Sequence, residues 1–185
     1  KCIGFNRQTL DWLADHPEIK YVILGSPWST AIAPEAKVYN GLTATVGLAG
    51  DAGWKQFQAT LQAIASLGKT PVVLTPTPTN RNDHGACVMR ALANQVDPAQ
   101  CNFDLKTDTR NAFNTQLQQK AAEVGVNTFW WDKFICKTGT CEVVGQDTII
   151  YRDAGHLSRE GSTYLGRKYD IGQKIIEVAL NGSNG

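Results

Sequence analysis

Near the end of the chain, the stretch YRDAGHLSREGSTYLG places Asp153 and His156 three residues apart, just before a helical pattern. A histidine beside a carboxylate can take a proton from a hydroxyl and hand it to a leaving group. The carboxylate meanwhile fixes the ring tautomer and stabilises the imidazolium. Ala154 and Gly155 are small enough to let the backbone turn and bring Asp153 round to the ring. The pair then forms the base and the orienting acid of an acyl-transfer site, and the missing part is a nucleophile. The alternative is that both residues decorate a helix entry, with Ser158 as the cap.

The elements that must position this pair follow from periodicity. Phe5 to Asp15 has Leu10, Leu13 and Ala14 at helical spacing, and Trp54 to Leu67 has Phe57, Leu61, Ile64 and Leu67 on one face with Gly68 as its cap. Short apolar runs at Tyr21 to Leu24, Pro71 to Leu74 and Val126 to Trp131 read as buried strands. Pro76 and Pro78 stop any sheet beyond Leu74. Helices are expected at Val88 to Asn94 and Asp108 to Val124, with a last one capped by Ser158 and reaching about Leu180; Glu160 suits its N-terminal dipole. Thr30 to Ala49, rich in small residues without a period, reads as a long loop. Thr148 to Tyr151 reads as an extended lead into the Asp-His stretch. Strands alternating with helices predict an α/β fold, a three-layer sandwich around a mainly parallel sheet, whose ligands bind beyond the carboxyl ends of the strands. Three clear parallel strands make a thin sheet for that class.

Composition narrows the partners. The chain has 185 residues, 42% of them hydrophobic, with no linker or repeat, which predicts a single domain over residues 1–185. Its net charge of +1, from 18 basic and 17 acidic residues, leaves no footprint for nucleic acid. No apolar run is long enough for direct membrane insertion. Five cysteines without a CxxC suit an oxidising compartment. Two disulfides, Cys87–Cys101 across a 13-residue segment and Cys136–Cys141 across the CKTGTC turn, would leave Cys2 over; five buried free thiols are the other possibility. No cluster has metal-ligand spacing, and no P-loop or GxGxxG follows a strand, so neither metal nor cofactor is expected.

The stretch DAGHLSREGSTYLG resembles the terminal block of SGNH hydrolases, in which D-x-x-H precedes the last helix. More closely, it resembles the periplasmic SGNH domain fused to acyltransferase-3 membrane proteins, the O-acetyltransferases of bacterial surface polysaccharides. VILGSPW, PVVLTPTP and CKTGTC follow the same order upstream. The resemblance implies an SGNH, flavodoxin-like fold with Asp153 and His156 as catalytic residues and no cofactor. It also implies a periplasmic location, a carbohydrate acceptor, and an acyl donor delivered by a membrane acyltransferase domain.

The family's nucleophile sits in a G-D-S block after the first strand, and the sequence contains no GDS. Ser26 in VILGSPW follows a strand, but the order of elements matches the family's third block, where oxyanion-stabilising groups lie. Pro27 also removes the N–H that would follow the nucleophile. The expectation is therefore that the first one or two strands and the serine lie upstream of Lys1, and that Ser26 is not the nucleophile; a serine supplied by another polypeptide and a loss of catalysis are the other two readings. Gly25, Ser26, Trp28 and Ser29 are then candidates for oxyanion or substrate contacts, although Trp28 is equally readable as core. Asn80, Arg81 and His84 are candidates for a substrate loop, against the plainer reading of a solvated loop. Two further functions fit the same residues: a secreted carbohydrate acetyl esterase, and an inactive carbohydrate-binding or scaffold module.

Overall fold

A computed structural model describes residues 2–32, 37–40, 43–46 and 51–181, without the side chains of 2–6, 31, 37–40, 43–46 and 51. The chain begins with α1 (Cys2–Ala14), β1 (Tyr21–Leu24), α2 (Trp28–Ile32), β2 (Lys37–Asn40), β3 (Thr43–Val46), α3 (Asp51–Ser66) and β4 (Thr70–Leu74). It continues through α4 (His84–Ala93), a 3-10 turn (Pro98–Cys101), β5 (Phe103–Asp104), a second 3-10 turn (Leu105–Thr107), α5 (Asn111–Ala122) and β6 (Asn127–Phe129). Then come α6 (Asp132–Ile135), the strand pairs β7 (Cys136–Lys137) with β8 (Thr140–Cys141) and β9 (Val144–Gly145) with β10 (Thr148–Ile149), and helices α7 (Arg159–Tyr169) and α8 (Ile171–Asn181). This is the α/β arrangement expected from the alternation of strands and helices. Two compact units share it: one takes Lys1–Leu74, Gln116–Phe129 and Glu177–Gly185, the other Thr75–Thr115 and Trp130–Ile176.

The first unit contains the parallel sheet, ordered β1-β4-β6, with Tyr21 opposite Thr70 and Val72 opposite Asn127. Val72 and Val73 are fully buried, as the centre strand of a parallel sheet requires. The apolar stripe of α3 buries Trp54, Phe57, Leu61 and Ile64, and Phe57 meets the rings of Trp28 and Trp54 edge-on. Gly68 ends this helix region at φ 72°, a conformation that favours a residue without Cβ. Lys69 buries its stem and donates from Nζ to the carbonyls of His16 and Ile19, tying the turn after α1 to the start of β4.

The second unit has its own core of Val88, Ala91, Phe103, Ile135, Val143, Ile150, Tyr151 and Leu165. Disulfides Cys87–Cys101 and Cys136–Cys141 staple it, at the two pairings expected from spacing. The Cys87–Cys101 loop has a sequence separation of 14, for which chain entropy gives about 3 kcal/mol. The side chain of Cys2, and with it the question of its partner, lies outside the described residues.

Two expectations are corrected. Residues 30–49 are not simply a loop: they hold the end of α2 and the antiparallel pair β2–β3. Four-residue strands are too short to show a period, and Val38, Thr43, Thr45 and Val46 favour extended backbone. The last helix breaks at Asp170, whose left-handed conformation (φ 47°, ψ 54°) ends α7 with its N–H on the Gly166 carbonyl. Aspartate tolerates that region, so no Gly or Pro marks the break. The extended lead expected at Thr148 to Tyr151 is present, outside the parallel sheet. Thr148 and Ile149 pair with β9, and Tyr151 makes an isolated bridge to Leu157.

Leu61 is completely buried on α3. Leu61→Ala is expected to lower unfolding free energy by about 2–5 kcal/mol, measured by urea titration.

Candidate active site

The Asp-His stretch lies wholly in the second unit, on a closed loop between β10 and α7. Its two ends are joined by the Tyr151–Leu157 bridge, by Arg152 N donating to His156 O (2.8 Å), and by Ser158 N donating to Ile150 O (2.8 Å). Ser158 Oγ then accepts from Gly161 N at 2.7 Å, so the loop runs directly into a capped helix.

Inside that loop Asp153 gathers the available donors. Its Oδ1 accepts from Gly155 N (3.0 Å), His156 N (2.9 Å) and His156 Nδ1 (2.8 Å), and Oδ2 also faces Nδ1 at 3.0 Å. Arg152 approaches Oδ2 through Nε and Nη2, each at 3.1 Å. The Gly155 amide, followed by the His156 ring and amide and the Arg152 side chain, holds the Asp153 carboxyl well below the usual carboxylate range, against a smaller opposing effect of desolvation. An ionised acceptor on Nδ1 selects the Nδ1–H tautomer and leaves Nε2 with a lone pair. The His156 side chain is 70% exposed, so a proton donor in solution or on a partner group can reach the ring.

The segment after β4 carries this loop. Thr77 Oγ1 donates to Gly155 O at 2.9 Å, and Thr79 Oγ1 donates to Ala154 O. Thr79 is fixed in turn: its N–H reaches Asp108 Oδ1 (2.9 Å) and its carbonyl accepts from Thr109 N (2.9 Å). Arg110 Nη1 donates to Thr77 O at 2.8 Å, and its guanidinium lies against Gly155, where an added Cβ would meet Nη2 at 2.6 Å. Tyr151, fully buried, donates its phenol to Pro78 O at 2.9 Å. The prolines of LTPTPT thus do more than end a strand. They leave carbonyls and threonine hydroxyls unpaired by any sheet, and these become the cradle of the Asp-His loop.

The other sequence candidates fall into different surroundings. Gly25, Ser26 and Ser29 are exposed at the carboxyl end of β1 in the first unit. Trp28 N donates to Ser26 O at 2.7 Å, so with Pro27 lacking an N–H the two residues after Ser26 offer no free amide to an oxyanion. Trp28 itself is buried, with Nε1 on the Leu74 carbonyl at 2.9 Å: its ring is a post of the first unit's core. Asn80 is half-buried and Arg81 is exposed in a left-handed turn at φ 68°. His84 departs from the expectation of a substrate loop. It is 1% exposed at the start of α4, stacked 4.6 Å from the Phe103 ring and 5.2 Å from Tyr151. Burial pushes its pKa down, against a hydrogen bond to the Cys101 backbone and the charge of Asp83.

Thr77, Thr79, Asp108 and Arg110 were not among the sequence candidates. The hydroxyls at alternate positions of TPTPT, after a strand that Pro76 forbids to continue, were the available signal. Their partners, the carbonyls of Ala154 and Gly155, lie more than seventy residues away and could not be inferred from spacing.

The geometry places a carboxylate-held histidine on an α/β scaffold. Residues 1–170 match the family described as "SGNH domain (fused to AT3 domains)", and the chain belongs to that family. Among solved structures it is similar to the periplasmic domain of the lipopolysaccharide acetyltransferase of Salmonella ser. Paratyphi A, with a TM-score of 0.61 and 19% identity. That likeness, which is one of fold, covers 94% of this chain and 63% of the other, so the chain spans under two thirds of its neighbour's length. No curated protein sequence matches the chain.

Two outcomes follow for the site. A Cβ on Gly85 would lie 2.0 Å from Arg152 O and 2.7 Å from its carbonyl carbon, backbone that cannot swing away. Gly85→Ala is expected to cost about 1–3 kcal/mol or more in thermal or urea unfolding. The second concerns pH. Because the folded pKa of Asp153 is depressed, its stabilising contribution is present above the unfolded value of about 3.9 and is lost as pH falls through the folded value. The stability difference between wild type and Asp153→Asn should therefore shrink steadily as pH falls below about 4.

Proposed function

We propose that residues 1–185 act as one periplasmic SGNH-type domain of an O-acyltransferase, moving acetyl groups to or on cell-surface polysaccharide. The observation that carries this reading is the His156 ring held through Nδ1 by Asp153 at 2.8 Å, with Nε2 directed away from the carboxylate. Membership of a family fused to membrane acyltransferase domains supports an acyl donor delivered from the membrane. Among the described residues no helix is long and apolar enough to cross a membrane. Two disulfides suit the oxidising periplasm.

The nucleophile is the serine of the family's G-D-S block, which these 185 residues do not contain. In the first half-reaction the serine oxygen attacks the acyl carbonyl, Nε2 takes the hydroxyl proton, and the resulting imidazolium returns it to the leaving group. Asp153 stays ionised throughout and stabilises the imidazolium. In the second, Nε2 takes the proton of a carbohydrate hydroxyl as that oxygen attacks the acyl-serine, then protonates the departing serine. The bond between the acyl carbon and the donor's leaving group breaks in the first half and the acyl–serine oxygen bond in the second, and His156 ends as it began.

In the intact domain, His156→Ala is expected to abolish acetyl transfer to glycan, and Asp153→Asn to lower kcat on the order of 10⁴-fold by releasing the wrong tautomer. Mass spectrometry of acetylated oligosaccharide reads both. An unchanged rate in His156→Ala contradicts the mechanism, and acetate released to water without acetylated sugar identifies an esterase instead.

A further inference from the structure

Beyond the dyad, the second unit has a cavity of about 980 Å³ between the β9–β10 hairpin and the outer face of α7. Residues four apart stack along one helix face, and the lining contains two such rows: Arg159, Thr163 and Arg167, then Glu160, Tyr164 and Lys168. Its charge is three cations against one carboxylate. Lys168 is partly engaged, with Nζ donating to Tyr164 Oη at 2.7 Å and lying 3.7 Å from Glu142. Arg159 and Arg167 are exposed, and among the described residues neither joins an ion pair.

The floor is also built. Gly145 lets the Tyr164 ring lie against the hairpin: a Cβ there would meet Cε1 at 2.4 Å. Lys168 Nζ stands 4.9 Å from the centroid of that ring, which pins the aromatic platform from one side. Gln146 and Thr148 on the hairpin, with Thr163 on the helix, supply uncharged polar groups around it, and Glu160 adds a carboxylate acceptor. A half-buried tyrosine, hydroxyl-matching polar groups and two exposed guanidiniums suit a sugar ring bearing an anionic group, because a planar guanidinium matches a carboxylate bidentately. α7 starts three residues after His156, and Arg159 and Arg167 stand about 12 Å apart along its axis.

We propose that this groove is a subsite for an acidic saccharide, holding a carboxylate-bearing sugar of the acceptor glycan beyond the unit that is acylated. The proposal rests on the carbohydrate-acceptor reading for its biological use but not for its test. The 185-residue chain is titrated with trigalacturonate and, as a neutral control, maltotriose, using isothermal calorimetry or NMR shifts. Trigalacturonate is expected to bind more tightly by at least about tenfold, more weakly as salt is raised, and to lose about tenfold or more in Arg159→Gln/Arg167→Gln. Both side chains are exposed; if the double variant melts early, Arg167→Gln alone is expected to lose at least about threefold. Equal binding of both sugars, no binding of trigalacturonate by wild type, or an unaffected affinity in the folded variants overturns the subsite. Binding is read without an acyl donor, so its failure leaves the His156 mechanism standing, and failure of that mechanism leaves this result standing.

Discussion

A single oxygen, Asp153 Oδ1, organises the chemistry of the second unit. It accepts from two backbone amides and from the histidine ring, with all three contacts between 2.8 and 3.0 Å. The amides bend the loop so that the ring can be reached at all. The same carboxylate that closes the turn therefore selects the tautomer, so in the proposed mechanism loop geometry and base function cannot be separated. Removing the charge alters both, which is why a merely structural Asp at a helix entry would look different: it would cap α7, a role that Ser158 already fills.

The loop does not hold itself. Its carbonyls at Ala154 and Gly155 are tied to threonine hydroxyls from the segment after β4, and Arg110 and Asp108 fix those threonines. Behind it, Gly85 and the buried Tyr151 leave no room for the Arg152 backbone to retreat. The His156 side chain is thus exposed while everything that aims it is buried or hydrogen-bonded. Such an arrangement suits a base that must meet a hydroxyl arriving from elsewhere, since the ring needs no rearrangement to receive it.

Much of this was legible in the sequence, and the limits have physical causes. Tyr21 to Leu24, the strand at Pro71 to Leu74, the α3 stripe and the CKTGTC turn all announced themselves through period, apolar run or cysteine spacing. The β2–β3 pair did not, because four-residue strands draw their order from pairing and not from their own pattern. Asp170 broke a helix without Gly or Pro because an aspartate can enter the left-handed region at small cost. His84 looked like a loop histidine since Asp83 and Gly85 flank it, yet stacking on Phe103 took it into the core. The Asp153–His156 pair was readable because its two partners are neighbours in sequence. Its cradle was not, because threonine-to-carbonyl bonds leave no mark beyond the presence of a threonine.

The tautomer of His156 tests the account most directly. In a long-range proton–nitrogen NMR spectrum at a pH where the imidazole is neutral, Nδ1 should carry the proton and Nε2 should not. Asp153→Asn should abolish that preference. A neutral ring protonated mainly on Nε2 in the wild type would contradict the account, because Asp153 would then not be aiming a base.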